Sequence, residues 1–281
     1  MTVLLAVDVG NSQTKLGWFE NGKLSGQEHF PAGSRDPAEA IAALTADAGI
    51  RRLGPTGRRG GRARPSHLKG AALARKLAAS MCSVVPDATP AWRAALCETC
   101  GAEPLVVAGD TDVGMVNHYA DPASLGPDRL VGALAARELH GAPVIVVSLG
   151  TATVVDAVSR AGEYLGGAIA PGVETSLAAL AERAARLLPV RLPARFETAP
   201  RAIATDTRGG IIAGAFFGAV GQVRELLARV RAEMGEDAPA VLTGGRAALV
   251  AQEVENVAAV EPALTLLGLR LAWEYASRGR A

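Results

Sequence analysis

Asp8-Val9-Gly10-Asn11-Ser12, followed by Lys15, is a turn suited to phosphate. Gly10 lets the backbone approach an anion with no Cβ in the way. Asp8 can hold Mg²⁺ through water, since that ion keeps several of its waters. Asn11 and Ser12 offer hydrogen bonds, and Lys15 can place a point charge on a phosphate. A second turn, Gly150-Thr151-Ala152-Thr153, offers amides and two hydroxyls, with Ser148 where the first turn has its carboxylate. A third element, Thr243-Gly244-Gly245, gives flat glycine backbone against which adenosine can lie. Between the two turns stands Gly126-Pro127-Asp128-Arg129. Asp128 can accept the proton of an attacking hydroxyl, and Arg129 can bind a carboxylate bidentately. Phosphoryl transfer needs little more than charge on the phosphates, in-line geometry and a group to orient the nucleophile. Each feature taken singly has a plainer reading: a turn-capping aspartate, an ordinary hairpin, a helix-start acid favoured by the dipole.

The elements that must position these residues follow from the apolar runs. Val3 to Val9, Lys15 to Phe19 and Lys23 to Phe30 read as strands, with Asn21-Gly22 as a hairpin turn. Asp36 to Ala48 reads as a helix with Pro37 in its first turn. Ser83 to Pro86 reads as a strand end, Ala91 to Cys100 as a helix and Pro104 to Ala108 as a strand. Asp128 to Glu138 is helical, Val144 to Val147 a buried strand, and Leu177 to Leu188 a helix. Gly209 to Met234 gives one or two helices, Ala240 to Thr243 a short strand, and Glu261 to Tyr275 a C-terminal helix. A shift of 140 residues lays Asp8-Val9-Gly10-Asn11 on Ser148-Leu149-Gly150-Thr151, Gly22 on Gly162 and Gly26 on Gly166 without a gap. Each half then opens as strand, turn, strand, hairpin, strand, which is the mark of an internal duplication.

Composition narrows the class. The formal net charge of +1 points to neither nucleic acid nor membrane. Three cysteines make no disulfide framework, and Cys97-x-x-Cys100 supplies only two of the four ligands of a structural zinc. The start of the chain lacks a basic leader region, and its apolar run is broken by Asp8, so a cytoplasmic protein is expected. Arg51 to Lys76 holds nine Lys or Arg and no acid. With no aromatics interleaved for base stacking, it reads as a solvated insertion rather than a nucleic-acid patch.

As an ordered set these motifs resemble the type III pantothenate kinases. The resemblance runs from Asp8 to Gly245 through Asp8, Gly10, Asn11, Ser12 and Lys15, then Ser83 to Pro86. It continues through Tyr119, Pro122, Gly126, Asp128 and Arg129, then Gly150 to Ala152. Gly166, Gly167, Ile169, Pro171 and Gly172 follow, and then Thr207 and Gly214. The resemblance implies an α/β protein of the actin-like fold shared with acetate and sugar kinases. It would have two domains, 1–121 and 122–281, with a duplicated βββ-α-type core around a cleft and the last helix packing back on the first domain. It implies phosphorylation of pantothenate by ATP with Asp128 as the catalytic base. Asp8, Gly10, Asn11, Ser12, Lys15, Gly150, Thr151, Thr153, Gly244 and Gly245 would serve ATP. Tyr119, Gly126, Pro127, Arg129 and Thr207 would contact pantothenate, Thr207 from the partner of a homodimer. Mg²⁺ is implied, as is a monovalent cation, K⁺ or NH₄⁺. The family has Asp at the position of Ser148, so the cation site here has a neutral oxygen instead. That departure and the basic stretch leave a second reading open, a kinase-like regulator or binding protein of the same fold. A sister kinase of this fold acting on a sugar or on acetate is a third.

Overall fold

A computed structural model of the chain describes residues 2–47, 76–184, 187–198 and 200–279. The basic stretch therefore lies outside the described residues, save Lys76. The chain divides into two compact units, Met1–Met81 with Val85–Val106, and Cys82–Val84 with Val107–Ala281.

In the first unit, β1 (Thr2–Val9), β2 (Gln13–Glu20) and β3 (Lys23–Pro31) form an antiparallel meander. Asn21 (φ 52°) and Gly22 (φ 75°) turn the hairpin between β2 and β3 in the left-handed geometry that Asn-Gly favours. The strands β4 (Lys76–Ser83) and β5 (Leu105–Val107) complete a five-stranded sheet of order β3-β2-β1-β4-β5. Two helices, α1 (Pro37–Asp47) and α2 (Thr89–Cys100), cover one face. Asp36 starts α1 by accepting the amides of Ala38 and Glu39 at 2.9 and 3.2 Å. The core there joins Leu5, Val7 and Leu16 to Ile41, Leu44, Trp92 and Leu96. Full burial stabilises each such large aliphatic side chain by roughly 1.5–3 kcal/mol. Alternation along β1 and β2 sends Asp8 and Lys15 to the opposite face.

The second unit repeats the plan. Its meander is β6 (Val144–Leu149), β7 (Ala152–Val158) and β8 (Tyr164–Pro171), and β9 (Ala240–Thr243) and β10 (Val257–Val260) extend it in parallel. The order β10-β9-β6-β7-β8 is that of the first sheet, strand for strand. The register slips at matching places, between Trp18 and Phe19 in β2 and between Ala157 and Val158 in β7. One face packs on α4 (Val173–Arg183), α5 (Thr207–Met234) and α6 (Ala247–Ala251) through Val147, Leu149, Phe216, Val223 and Leu242. On the other, α3 (Pro127–His140) lies along β6 and β7, with α7 (Leu264–Arg278) packed on α3. A Cβ at Gly268 would fall 1.9 Å from the Val131 carbonyl oxygen, so this glycine lets the two helices approach.

Three differences from the sequence reading stand out. The helix read from Leu177 to Leu188 starts at Val173, because Gly172 is its N-cap, and ends at Arg183. The stretch from Gly209 to Met234 is one helix of 28 residues starting at Thr207. It is capped by Asp206, which accepts the Gly209 amide at 2.8 Å. By length and composition alone this helix could cross a membrane. The short α6 and β10 carry too few residues to show a period.

Candidate active site

In the first unit the chain leaves β1 at Asp8, closes a tight turn with the Gly10 amide on the Gln13 carbonyl at 3.0 Å, and re-enters the sheet. A Cβ at Gly10 would meet that carbonyl at 2.9 Å. Asn11 and Ser12 are exposed on the turn. Asp8 and Lys15 are cross-strand partners, with Lys15 Nζ 3.5 Å from Asp8 Oδ2. Asp8 is buried, at 7% exposure, and Lys15 half-buried. A carboxylate for a divalent ion and a lysine for a phosphate thus stand side by side at the end of the turn, where oxygen donors fit Mg²⁺. His29, which the sequence reading passed over, pairs with Lys15 from β3. Burial first, and then the Lys15 charge, hold the His29 imidazole below its ordinary value, against the pull of Asp8.

In the second unit the Gly150 amide bonds the Ala152 carbonyl at 3.0 Å, a turn like the first but one residue tighter. Two glycines clamp it. A Cβ at Gly172 would lie 2.2 Å from the Gly150 oxygen, and one at Gly244 would lie 2.4 Å from the Leu149 oxygen. Gly244 has a φ of +95°, a conformation that glycine adopts freely. Thr175 Oγ1 also donates to the Thr151 carbonyl at 2.6 Å. The second and third predicted nucleotide elements, with 94 positions between Gly150 and Gly244, therefore meet at one end of this sheet. Ser148 and Thr243 are register partners there. Thr243 is buried and its hydroxyl has no hydrogen-bond partner. Thr153 is buried below the turn, and Gly150, Thr151 and Gly245 are exposed. Ser148 and Thr243 offer hydroxyls and no carboxylate, and no group of three or more His, Cys, Asp or Glu suited to a metal exists among the described residues.

The helix α3 opens with Gly126 as N-cap, Pro127 in its first turn, then Asp128 and Arg129. A Cβ at Gly126 would lie 2.7 Å from Asp128 Oδ1, so the glycine leaves room for the carboxylate. Asp128 is partly exposed. The Arg129 guanidinium is held by Asp156 of β7, with Nε and Nη2 at 3.0 and 2.7 Å from Oδ1. Its Nη1 is 3.4 Å from Tyr119 Oη, and it stacks 5.5 Å from the centre of the Tyr119 ring. Although burial alone would lower it, the bonds to Asp156 leave the Arg129 guanidinium above its ordinary value and fully charged. A carboxylate and a fixed cation thus occupy consecutive positions at the start of one helix, groups of the kind that a substrate with an alcohol at one end and an acid at the other would need. Thr207 stands exposed at the head of α5, and among the described residues nothing joins it to Tyr119 or Arg129. Sequence reasoning missed Asp156, Tyr164 and His29. The only signal for Asp156 was a carboxylate interrupting the apolar strand Val154-Val155-Asp156-Ala157-Val158.

A family model described as type III pantothenate kinase matches residues 4–229. A type III pantothenate kinase of Moorella thermoacetica is 37% identical over 272 residues, spanning 97% of this chain and 99% of its own. One from Parafrankia sp. is 39% identical over 274 residues, 97% of this chain and 98% of its own. Among solved structures, component A of the Acidaminococcus fermentans (R)-2-hydroxyglutaryl-CoA dehydratase superposes with a TM-score of 0.57 at 15% identity, covering 98% of this chain and all of that one. The archaeal actin homolog Ta0583 gives 0.53 at 12% identity, covering the whole of both. At such identities these two likenesses speak to the fold alone, and the fold is the actin-like one.

Proposed function

This chain belongs to the type III pantothenate kinase family, and on that premise we propose which of its residues carry the reaction. The enzyme transfers the γ-phosphoryl group of ATP to the primary hydroxyl of pantothenate, the first step of coenzyme A biosynthesis, and as an ATP-using kinase it works with a divalent metal. The hydroxyl oxygen bonds to the γ-phosphorus as the bond to the bridging oxygen breaks, ADP leaves, and the hydroxyl proton passes to Asp128. Asp8 would hold Mg²⁺ through water, and the ion would supply positive charge against the phosphates. Gly10, Asn11, Ser12 and Lys15 bind phosphate oxygens, as do the amides and hydroxyls of Gly150, Thr151 and Thr153. Gly244 and Gly245 lie under the adenosine. Tyr119, Gly126, Pro127 and Arg129 hold pantothenate, with Arg129 on its carboxylate.

The observation that carries this reading is the adjacency of Asp128 to a guanidinium fixed at hydrogen-bonding distance by Asp156. With Ser148 in place of a carboxylate, we infer a weak monovalent-cation site, so K⁺ or NH₄⁺ is a minor aid to this enzyme. A cytoplasmic homodimer is part of the proposal. It is supported by the exposed Gly210, Gly214 and Gly218 along α5, against which no atom lies within 4 Å of a built Cβ. The exposed Phe217, Leu188, Ile203 and Ile169 support it too. The test is Asp128→Asn in a coupled ADP-release assay. The pantothenate-dependent kcat should fall by about 10²–10⁴; unchanged turnover would remove Asp128 from the role of base.

A further inference from the structure

One carboxylate of the second unit touches no substrate in the chemistry above but holds the arginine that does. Asp156 is 1% exposed, and its Oδ1 accepts three hydrogen bonds, from Arg129 Nε, Arg129 Nη2 and, at 2.7 Å, Tyr164 Oη. Nε and Nη2 form one side edge of the guanidinium, so gripping both fixes the place of the group and takes up that edge. A free arginine samples many rotamers and loses that freedom on binding. Here the freedom is already lost in the folded chain. Tyr164 is completely buried, and burial lifts its phenol far above the ordinary value, so it remains a donor to Asp156. Room for the carboxylate comes from Gly167, the register partner of Asp156 on β8, where a Cβ would lie 2.9 Å from Asp156 Oδ1. Gly167 and Tyr164 therefore flank a built mount for one side chain, Arg129. What the mount leaves over is the far end of the guanidinium, Nη1 with the second hydrogen of Nη2, beside the Tyr119 hydroxyl.

We propose that Asp156 is a positioning residue that sets specificity for the acid end of pantothenate. Anchored by Tyr164, it takes the Nε–Nη2 edge of Arg129 and so presents the opposite end, with Tyr119, to the substrate carboxylate. This rests on the reading of Arg129 as the carboxylate-binding group. A tyrosine and an aspartate that merely held the fold would act alike on any substrate. A positioning pair acts on the preference for a carboxylate.

The experiment compares wild type, Arg129→Gln, Asp156→Asn and Tyr164→Phe. It measures kcat and KM for pantothenate and for ATP, together with inhibition by the neutral analogue whose carboxylate is replaced by a primary alcohol. Arg129→Gln should raise KM for pantothenate by about tenfold or more, the cost of a lost charge-assisted contact, and should erase the preference over the neutral analogue. Asp156→Asn should do the same with KM for ATP unchanged. Tyr164→Phe, which keeps the ion pair and hence the fold, should move pantothenate KM and the preference in the same direction by about threefold. If Arg129→Gln behaves as stated while both other variants keep the wild-type preference, positioning by Asp156 is overturned and the Arg129 reading stands. If Arg129→Gln itself leaves the preference intact, the Arg129 reading falls and the proposal with it. Should Asp156→Asn not fold, Tyr164→Phe decides alone.

Discussion

At the scale of single residues, the chemistry sits where backbone geometry makes a side chain predictable. Asp8 and Lys15 were legible because a strand ending in Asp-x-Gly forces a reversal and returns the chain beside itself. Their cross-strand pairing follows from that. Asp128 and Arg129 were legible as a helix start after Gly-Pro. Asp156 was not, because its partner is 27 positions away and only the fold unites them. His29 was hidden for the same reason, being a register partner of Lys15 on β3. It yields a pH prediction. Its folded value is depressed, so the unfolded chain binds the proton more readily. Stability from this group is present above the unfolded value, about 6.5, and is lost as pH falls through the depressed folded one. His29 is largely exposed, so the effect is small. The melting temperature should drop more between about pH 7.5 and about 5.5 in wild type than in His29→Gln; equal drops would contradict the assignment.

At the scale of elements, the two glycine turns show what duplication preserves. Strand order and the place of the β-bulge recur, and the spacing of Gly10, Gly22 and Gly26 against Gly150, Gly162 and Gly166 made that visible in the sequence. The clamp on the second turn was not visible. That Gly172 and Gly244 press on the segment around Gly150 depends on β6 and β9 lying side by side. The clamp makes two neighbouring glycines unequal. Gly244→Ala forces a side chain onto a φ of +95° and against the Leu149 carbonyl, a strain of about 1–3 kcal/mol. It should lower the melting temperature and raise KM for ATP several-fold. Gly245→Ala meets nothing within 4 Å and should leave the melting temperature unchanged. Equal behaviour of the two variants would show that the turn is not clamped. The α4 start was misread because the polar run Glu174-Thr175-Ser176 parts Val173 from Leu177, whereas the helix is started by Gly172.

At the scale of the whole molecule, the apolar runs and their repeat announced the duplicated strand order, and the ordered motifs announced the family and its α/β fold. Assembly is written less plainly, in surface that one chain leaves uncovered. The helix α5 buries Phe216, Val220, Val223 and Leu227 in its own core while Gly210, Gly214, Gly218 and Phe217 stand exposed. Small residues on a helix face let another backbone approach closely, and contiguous exposed apolar surface marks an interface. Sedimentation velocity should find two chains per particle, and Phe217→Lys should shift the protein to single chains; a wild type that sediments as one chain at tens of micromolar would exclude the dimer.

Asp128 is the proposed acceptor of the pantothenate hydroxyl proton as the phosphoryl group arrives. A rapid-quench single-turnover measurement, with both substrates saturating and their binding checked by calorimetry, tests it most directly. Asp128→Asn should form phosphopantothenate about 10²–10⁴ times more slowly than wild type while its Kd for each ligand stays within about threefold. A wild-type rate of product formation would contradict the claim, and so would a loss of rate wholly explained by lost binding.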